Sequence, residues 1–226
     1  MKDIPMFDTE TGVSTLVLKE IPYKQTAYVT VHSVQPGGLR EHLSECAAFC
    51  RMCGAERVFA SGHPELEEWP LHCRILRMAR PAPDWEPTDH LFPVTEATVS
   101  RWRQVYNEKM APVDNAATMT ARDEKRIVES QGAFFIHHSG MLLGIGWMDG
   151  GELLAVASVV PGAGERVLRT LLTVAAEDRV TLEVASTNQR AIALYERLGC
   201  VTVGERSGWY RILGMAEGKP AQNLKK

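Results

Sequence analysis

Five cysteines in 226 residues are too few, and odd in number, to build a disulfide framework. Cys46, Cys50 and Cys53 fall at i, i+4 and i+7, on one helical stripe beside Ala47 and Phe49. That is not the paired short-loop spacing of structural zinc, even with His63 and Cys73 further on. The thiols read as small buried hydrophobes, and no metal is expected. No run approaches the roughly 18 apolar residues of a membrane span. The first thirty residues lack the charged start and apolar block of a secretory signal. No basic run interrupts the chain, and a net charge of -3 with a pI near 6.2 leaves no nucleic-acid footprint. The expectation is a cytoplasmic protein with neither a membrane nor a nucleic acid as partner.

What is present is the balance of a globular protein, 45% apolar and 23% charged. Residues 14–23 and 26–34 are rich in β-branched and aromatic residues and read as strands, as do 55–62 and 72–78. Residues 38–54 have helical spacing and end on Gly54. The stretch 79–90 holds three prolines and little periodicity, which makes it the best linker candidate. Beyond it come helices at 96–110 and 121–130, then a hairpin from 133 with a Ser-Gly turn. A strand at 152–160, helices at 165–177 and 188–199 around a strand at 180–186, and a final strand pair near 200–205 and 209–213 close the order. This is α/β, with a mixed, mostly antiparallel sheet flanked by helices.

The two halves echo one another. Displaced by 125 residues, "VHSVQPGG" lies over "VASVVPGA" and "FASGH" over "VASTN", matching Ser33 to Ser158, Pro36 to Pro161, Gly37 to Gly162 and Leu43 to Leu168. An ungapped strand–turn–helix–strand register suggests an incomplete first copy, residues 1–86, before a full domain at 87–226.

The turn Gly162–Gly164 opens a helix, where free N–H groups and the helix dipole favour an anion. Three phosphate sites compete for it. A dinucleotide fingerprint needs a third glycine where Val167 stands, and a first parallel strand where a meander ends. A Walker loop needs Gly-Lys-Ser/Thr, which is missing. A coenzyme A cradle accommodates the strand and helix downstream of the turn.

The stretch "EVASTNQRAIALYERLG" resembles the GNAT superfamily of N-acetyltransferases. Asn188, Ala191, Leu194, Tyr195 and Gly199 match its pattern, and the likeness spans about residues 88 to 213. The resemblance implies an acyl-CoA N-acyltransferase fold and transfer of acetyl from acetyl-CoA to an amine of a small molecule or protein; monomer and homodimer both stay open. Cofactor contacts would come from Val159, Val160, Gly164, Glu165, Arg166, Val167, Asn188, Ala191 and Tyr195, with backbone donors near Val159 and Val160 polarising the thioester carbonyl. Tyr195 would act as the acid that protonates the departing thiolate. On pattern alone, Tyr195 also reads as a packed amphipathic residue and Asn188 as a helix N-cap. One departure is plain: the family's Arg/Gln and Gly positions hold Ala163, Arg166 and Leu168 here. That keeps open a second reading, a catalytically impaired module that binds coenzyme A and regulates. Glu152, Glu183, His137 and His138 are candidate bases. At the 125-residue displacement His63 stands for Asn188 and Pro70 for Tyr195, so the first copy reads as non-catalytic.

Overall fold

The computed structural model describes residues 5–213. They fall into two compact units: one runs to His72 and resumes at Ser207, and the other is Cys73–Arg206.

The first unit contains β1 (Met6–Asp8), β2 (Gly12–Val17), α1 (Ile21–Lys24), β3 (Thr26–Val34), α2 (Leu39–Met52) and β4 (Arg57–Ser61). β1, β2 and β3 are antiparallel neighbours, while β3 and β4 run parallel with α2 as the crossover. The strand expected to reach Tyr23 leaves the sheet after Val17. Pro22 cannot donate to a ladder, but it suits the first turn of α1. The cysteine stripe is apolar core: Cys46 and Cys50 are buried with Leu39 and Leu43. Desolvation pushes the Cys46 thiol up to about 11 and the Cys50 thiol to about 12. Among the described residues no cluster of His, Cys, Asp and Glu is placed to hold a metal ion.

The second unit begins within β5 (Leu71–Pro81) and continues through β6 (His90–Pro93), α3 (Val99–Met110), a 3-10 turn at Ala121–Asp123, and α4 (Glu124–Glu129). β7 (Ala133–His138), β8 (Met141–Asp149) and β9 (Glu152–Ser158) form the antiparallel meander. α5 (Gly164–Leu172), β10 (Arg179–Ala185), α6 (Gln189–Arg197) and the part of β11 (Val201–Leu213) up to Arg206 complete it. Its sheet order is β5-β10-β9-β8-β7-β6. α5 and α6 bury Val167, Leu168, Leu171, Tyr195 and Leu198 in one core, and Trp102 and Ile127 of α3 and α4 join a second core with Ile145 and Trp147. α5 lies so close to β8 that a Cβ on Gly146 would collide with the Leu171 side chain.

Three further expectations are corrected. α5 stops at Leu172 rather than 177: the N–H groups of Thr173, Val174 and Ala175 step back only three residues, to Thr170, Leu171 and Leu172, and the Thr173 hydroxyl also meets the Thr170 carbonyl (2.7 Å). The proline-rich stretch is not a loose linker. β5 runs to Pro81, Trp85 donates to the Arg169 carbonyl (3.1 Å) between the guanidinium groups of Arg80 and Arg169, and the Asp89 side chain is buried. The final pair is a single strand. Its residues Ser207–Leu213 belong to the first unit, where Tyr210 and Arg211 pair antiparallel with Ala60 and Phe59.

This exchange has a counterpart. Cys73–Pro81 of β5 belongs to the second unit, pairing antiparallel with β10 from Arg179–Pro81 to Ala185–Ile75. A strand from elsewhere in the chain thus completes the sheet of each unit. The two units also share local geometry at the 125-residue displacement. α2 and α5 begin at Leu39 and Gly164, and Gly37 and Gly162 both adopt the left-handed turn (φ 76° and 82°).

A fragment spanning 87–206 lacks β5, with its buried Met78, a residue type whose truncation alone costs about 2–5 kcal/mol. In circular-dichroism melts, the 73–206 fragment is expected to unfold cooperatively and the 87–206 fragment to show no cooperative transition.

Candidate active site

β9 and β10 run parallel only at Glu152–Thr181 and Leu153–Leu182. Beyond that point each wall is held by its other neighbour. β9 follows β8 to Ser158–Gly144, while β10 follows β5 until the Ser186 N–H meets the Arg74 carbonyl (2.8 Å). The strands part, and a cleft of about 580 Å³ opens. Ser158–Pro161 and Gly164 line one side, α6 the other, and residues just beyond α3 close the rim.

Gly162 takes a φ of 82°, which a side chain would strain, and so aims the chain into α5. Among the described residues the N–H groups of Gly164, Glu165 and Arg166 have no hydrogen-bond partner, and Val167 N–H begins the helical ladder on Ala163 (3.0 Å). Of the expected cofactor residues on this side, Val159, Val160 and Gly164 line the cleft. The side chains of the other three do not. Glu165 faces Arg197 (3.8 Å), Val167 is fully buried core, and Arg166 points at Asp89 Oδ1 (2.5 Å) and His138 Nδ1 (2.9 Å). The Arg166 guanidinium is thus committed to a buried carboxylate. Val159 N–H donates to the Leu143 carbonyl (2.8 Å), and Val160 N lies 3.5 Å from the same oxygen. These two N–H groups turn toward β8, not toward the cleft as the carbonyl-polarising role requires.

On the other wall, Asn188, Ala191 and Tyr195 all line the cleft. Asn188 is the N-cap of α6, its Oδ1 accepting from Ala191 N–H (3.2 Å), so the capping role stands beside whatever else it does. Tyr195 is only 8% exposed, and burial pushes its phenol up to about 12. It is therefore a proton donor at any physiological pH and never a base.

None of the candidate bases lines the cleft. Glu183 pairs with Arg206 (2.5 Å) and Arg77 (3.5 Å), His137 lies against the Phe92 ring, and His138 meets Asp89 Oδ1 at 2.9 Å. Glu152 sits at the closed end of the strand pair. Charged residues that sequence reading passed over do line it: Lys109, Asp114 and Arg190. Arg190 stands two residues from Asn188 and was within reach of the motif. Asp114 lies in an aperiodic loop where no charge cluster singles it out.

A family model described as the acetyltransferase (GNAT) family matches residues 99–200. The matched stretch lies within the second unit, from the start of α3 to the residue before β11. In fold, the chain is similar to a GCN5-related N-acetyltransferase from Sphaerobacter thermophilus (TM-score 0.56, 15% identity, 89% of this chain and 76% of that one). It is also similar to a putative acetyltransferase from Pyrococcus horikoshii (TM-score 0.53, 13% identity, 92% and 72%). A third likeness is to a tandem GNAT protein from the clavulanic acid biosynthesis pathway (TM-score 0.53, 14% identity, 96% and 85%). No curated protein matches the chain in sequence. No helix among the described residues is long and apolar enough to cross a membrane.

The Tyr195 shift has a definite sign. Its phenol is held near 12 in the folded state against about 10 unfolded, so the neutral form contributes stability below pH 10 that is lost between pH 10 and 12. Two pH units correspond to about 2–3 kcal/mol. Ultraviolet difference titration against Tyr195→Phe should show one phenol ionising near 12, and the denaturant midpoint of the parent should fall more steeply than the variant's across that window.

Proposed function

We propose that Cys73–Arg206 transfers the acetyl group of acetyl-CoA to a primary amine of a small molecule or protein, in the cytoplasm. The observation that carries this reading is the parting of β9 and β10 beside unpartnered N–H groups at the mouth of α5 and the phenol of Tyr195. Coenzyme A suits that donor set. Gly164, Glu165 and Arg166 offer N–H groups and the positive end of a helix dipole to a diphosphate, and Arg190 adds a cation where the Arg166 side chain does not. The bound thioester supplies an activated acetyl group. Asn188 fixes the first turn of α6 and with it the helix that carries Tyr195.

A neutral amine forms the new C–N bond as the C–S bond breaks, the sulfur takes the Tyr195 proton, and the proton released by nitrogen returns to the phenol through water. Full transfer from a phenol near 12 to a thiolate whose acid lies near 8.5 is uphill by about 5 kcal/mol. Tyr195 therefore acts chiefly as a hydrogen-bond donor whose proton moves late, once the amide has formed.

The first unit fits a worn copy whose parallel strands do not part. Its β3 and β4 stay paired from Thr26–Arg57 through Thr30–Ser61, across the register where β9 and β10 separate. His63 caps the short 3-10 turn Pro64–Glu68, as Asn188 caps α6. A second reading, a module that binds coenzyme A without transfer, draws support from the N–H groups of Val159 and Val160 facing β8.

Calorimetry with acetyl-CoA and thiol release over an amine panel separate these readings. Tyr195→Phe is expected to lower kcat about 100-fold or more while leaving the acetyl-CoA Kd within about twofold. Binding without transfer to any amine would favour the second reading, and no saturation at millimolar acetyl-CoA would end both.

A further inference from the structure

The charges of the cleft narrow the acceptor. Among the described residues lining it, Asp114 is the single carboxylate, and Lys109 and Arg190 are the cations. Between Lys109 and Asp114 the chain lines the wall with Met110, Pro112 and Val113, an apolar run. Asp114 is held in place across the rim, its Oδ2 accepting the hydroxyl of Thr187 (2.8 Å). Thr187 directly precedes the cap Asn188, so Asp114 is tied to the wall that carries Tyr195.

We infer that Asp114 binds the acceptor's ammonium and that the acceptor is a small monoamine with a short apolar stem, not a polyamine or a basic peptide. This deepens the acetyl-transfer reading and rests on it. An amine in neutral water arrives protonated, and a fixed carboxylate beside an apolar wall is what recruits one such charge out of solvent. With Arg190 given to the diphosphate, Lys109 in the same cleft opposes a second positive charge on the ligand. Asp114 is an anchor rather than the base. A carboxylate is far too weak a base to strip an ammonium, so the proton leaves to water. The carboxylate thus gains affinity for the charged amine at some cost to deprotonation.

The test uses the full chain, thiol release as readout, and phenethylamine, spermidine and a lysine-rich peptide as probes. Phenethylamine is expected to show a kcat/KM about tenfold or more above the other two. Asp114→Asn should raise its KM about tenfold while the acetyl-CoA Kd, read by calorimetry, stays within about twofold. That KM defect should shrink as pH approaches the amine's own pKa, since a neutral amine gains nothing from the carboxylate. Lys109→Met should narrow the gap to spermidine, which gives a second variant independent of Asp114. An unchanged KM in Asp114→Asn, a defect that does not vary with pH, or a preference for spermidine or the peptide overturns the inference. Acetyl-CoA binding with transfer to none of the three also overturns it, whereas failure to bind acetyl-CoA defeats the transferase reading itself.

Discussion

Two parallel strands that cease to pair set the terms for everything functional in this protein. A buried strand edge leaves N–H and C=O groups without partners, a costly arrangement unless something else occupies the gap. Here β9 and β10 separate after Leu153 and Leu182, and each is kept straight by its outer neighbour. The cleft is therefore a property of four strands, β8, β9, β10 and β5, and not of the Gly-rich turn alone. The first unit shows the contrast. It has the same parallel pair, crossover helix and left-handed glycine, but its strands stay joined through Thr30 and Ser61.

That dependence explains why the position of β5 matters. It precedes β10 by about a hundred residues and lies before the proline-rich stretch, yet it packs with the later residues and places Met78 in the core under α5 and α6. Ser207–Leu213 plays the matching part in the first unit. Contacts between strands so far apart in sequence carry a large loop-closure cost before they return any stability. Local propensity has no means of announcing them.

The electrostatics of the cleft divide by burial. Asp89, with its side chain fully buried, needs a cation, and the Arg166 side chain is drawn to it and away from the mouth of its own helix. The backbone N–H groups remain where the helix begins, because only the turn fixes them. Burial does the opposite for Tyr195: removing the phenol from water favours its neutral form, so the residue keeps its proton and its role as donor.

The sequence alone determined the order of elements from α3 to α6, the bounds of β3, the capping position Asn188 and the α6 stripe of Ala191, Leu194 and Tyr195. These follow from periodicity, cap chemistry and glycine placement, all local signals. It also carried the likeness to an acetyltransferase domain. Tertiary structure decided the rest. Arg166 turned to Asp89, the N–H groups of Val159 and Val160 turned to β8, and the last thirteen described residues became one strand because β4 offered a free edge. Asp114 reached the cleft from a loop with no pattern of its own. Side-chain direction and strand pairing depend on which distant segment arrives as neighbour, and that is settled only when the whole sheet closes.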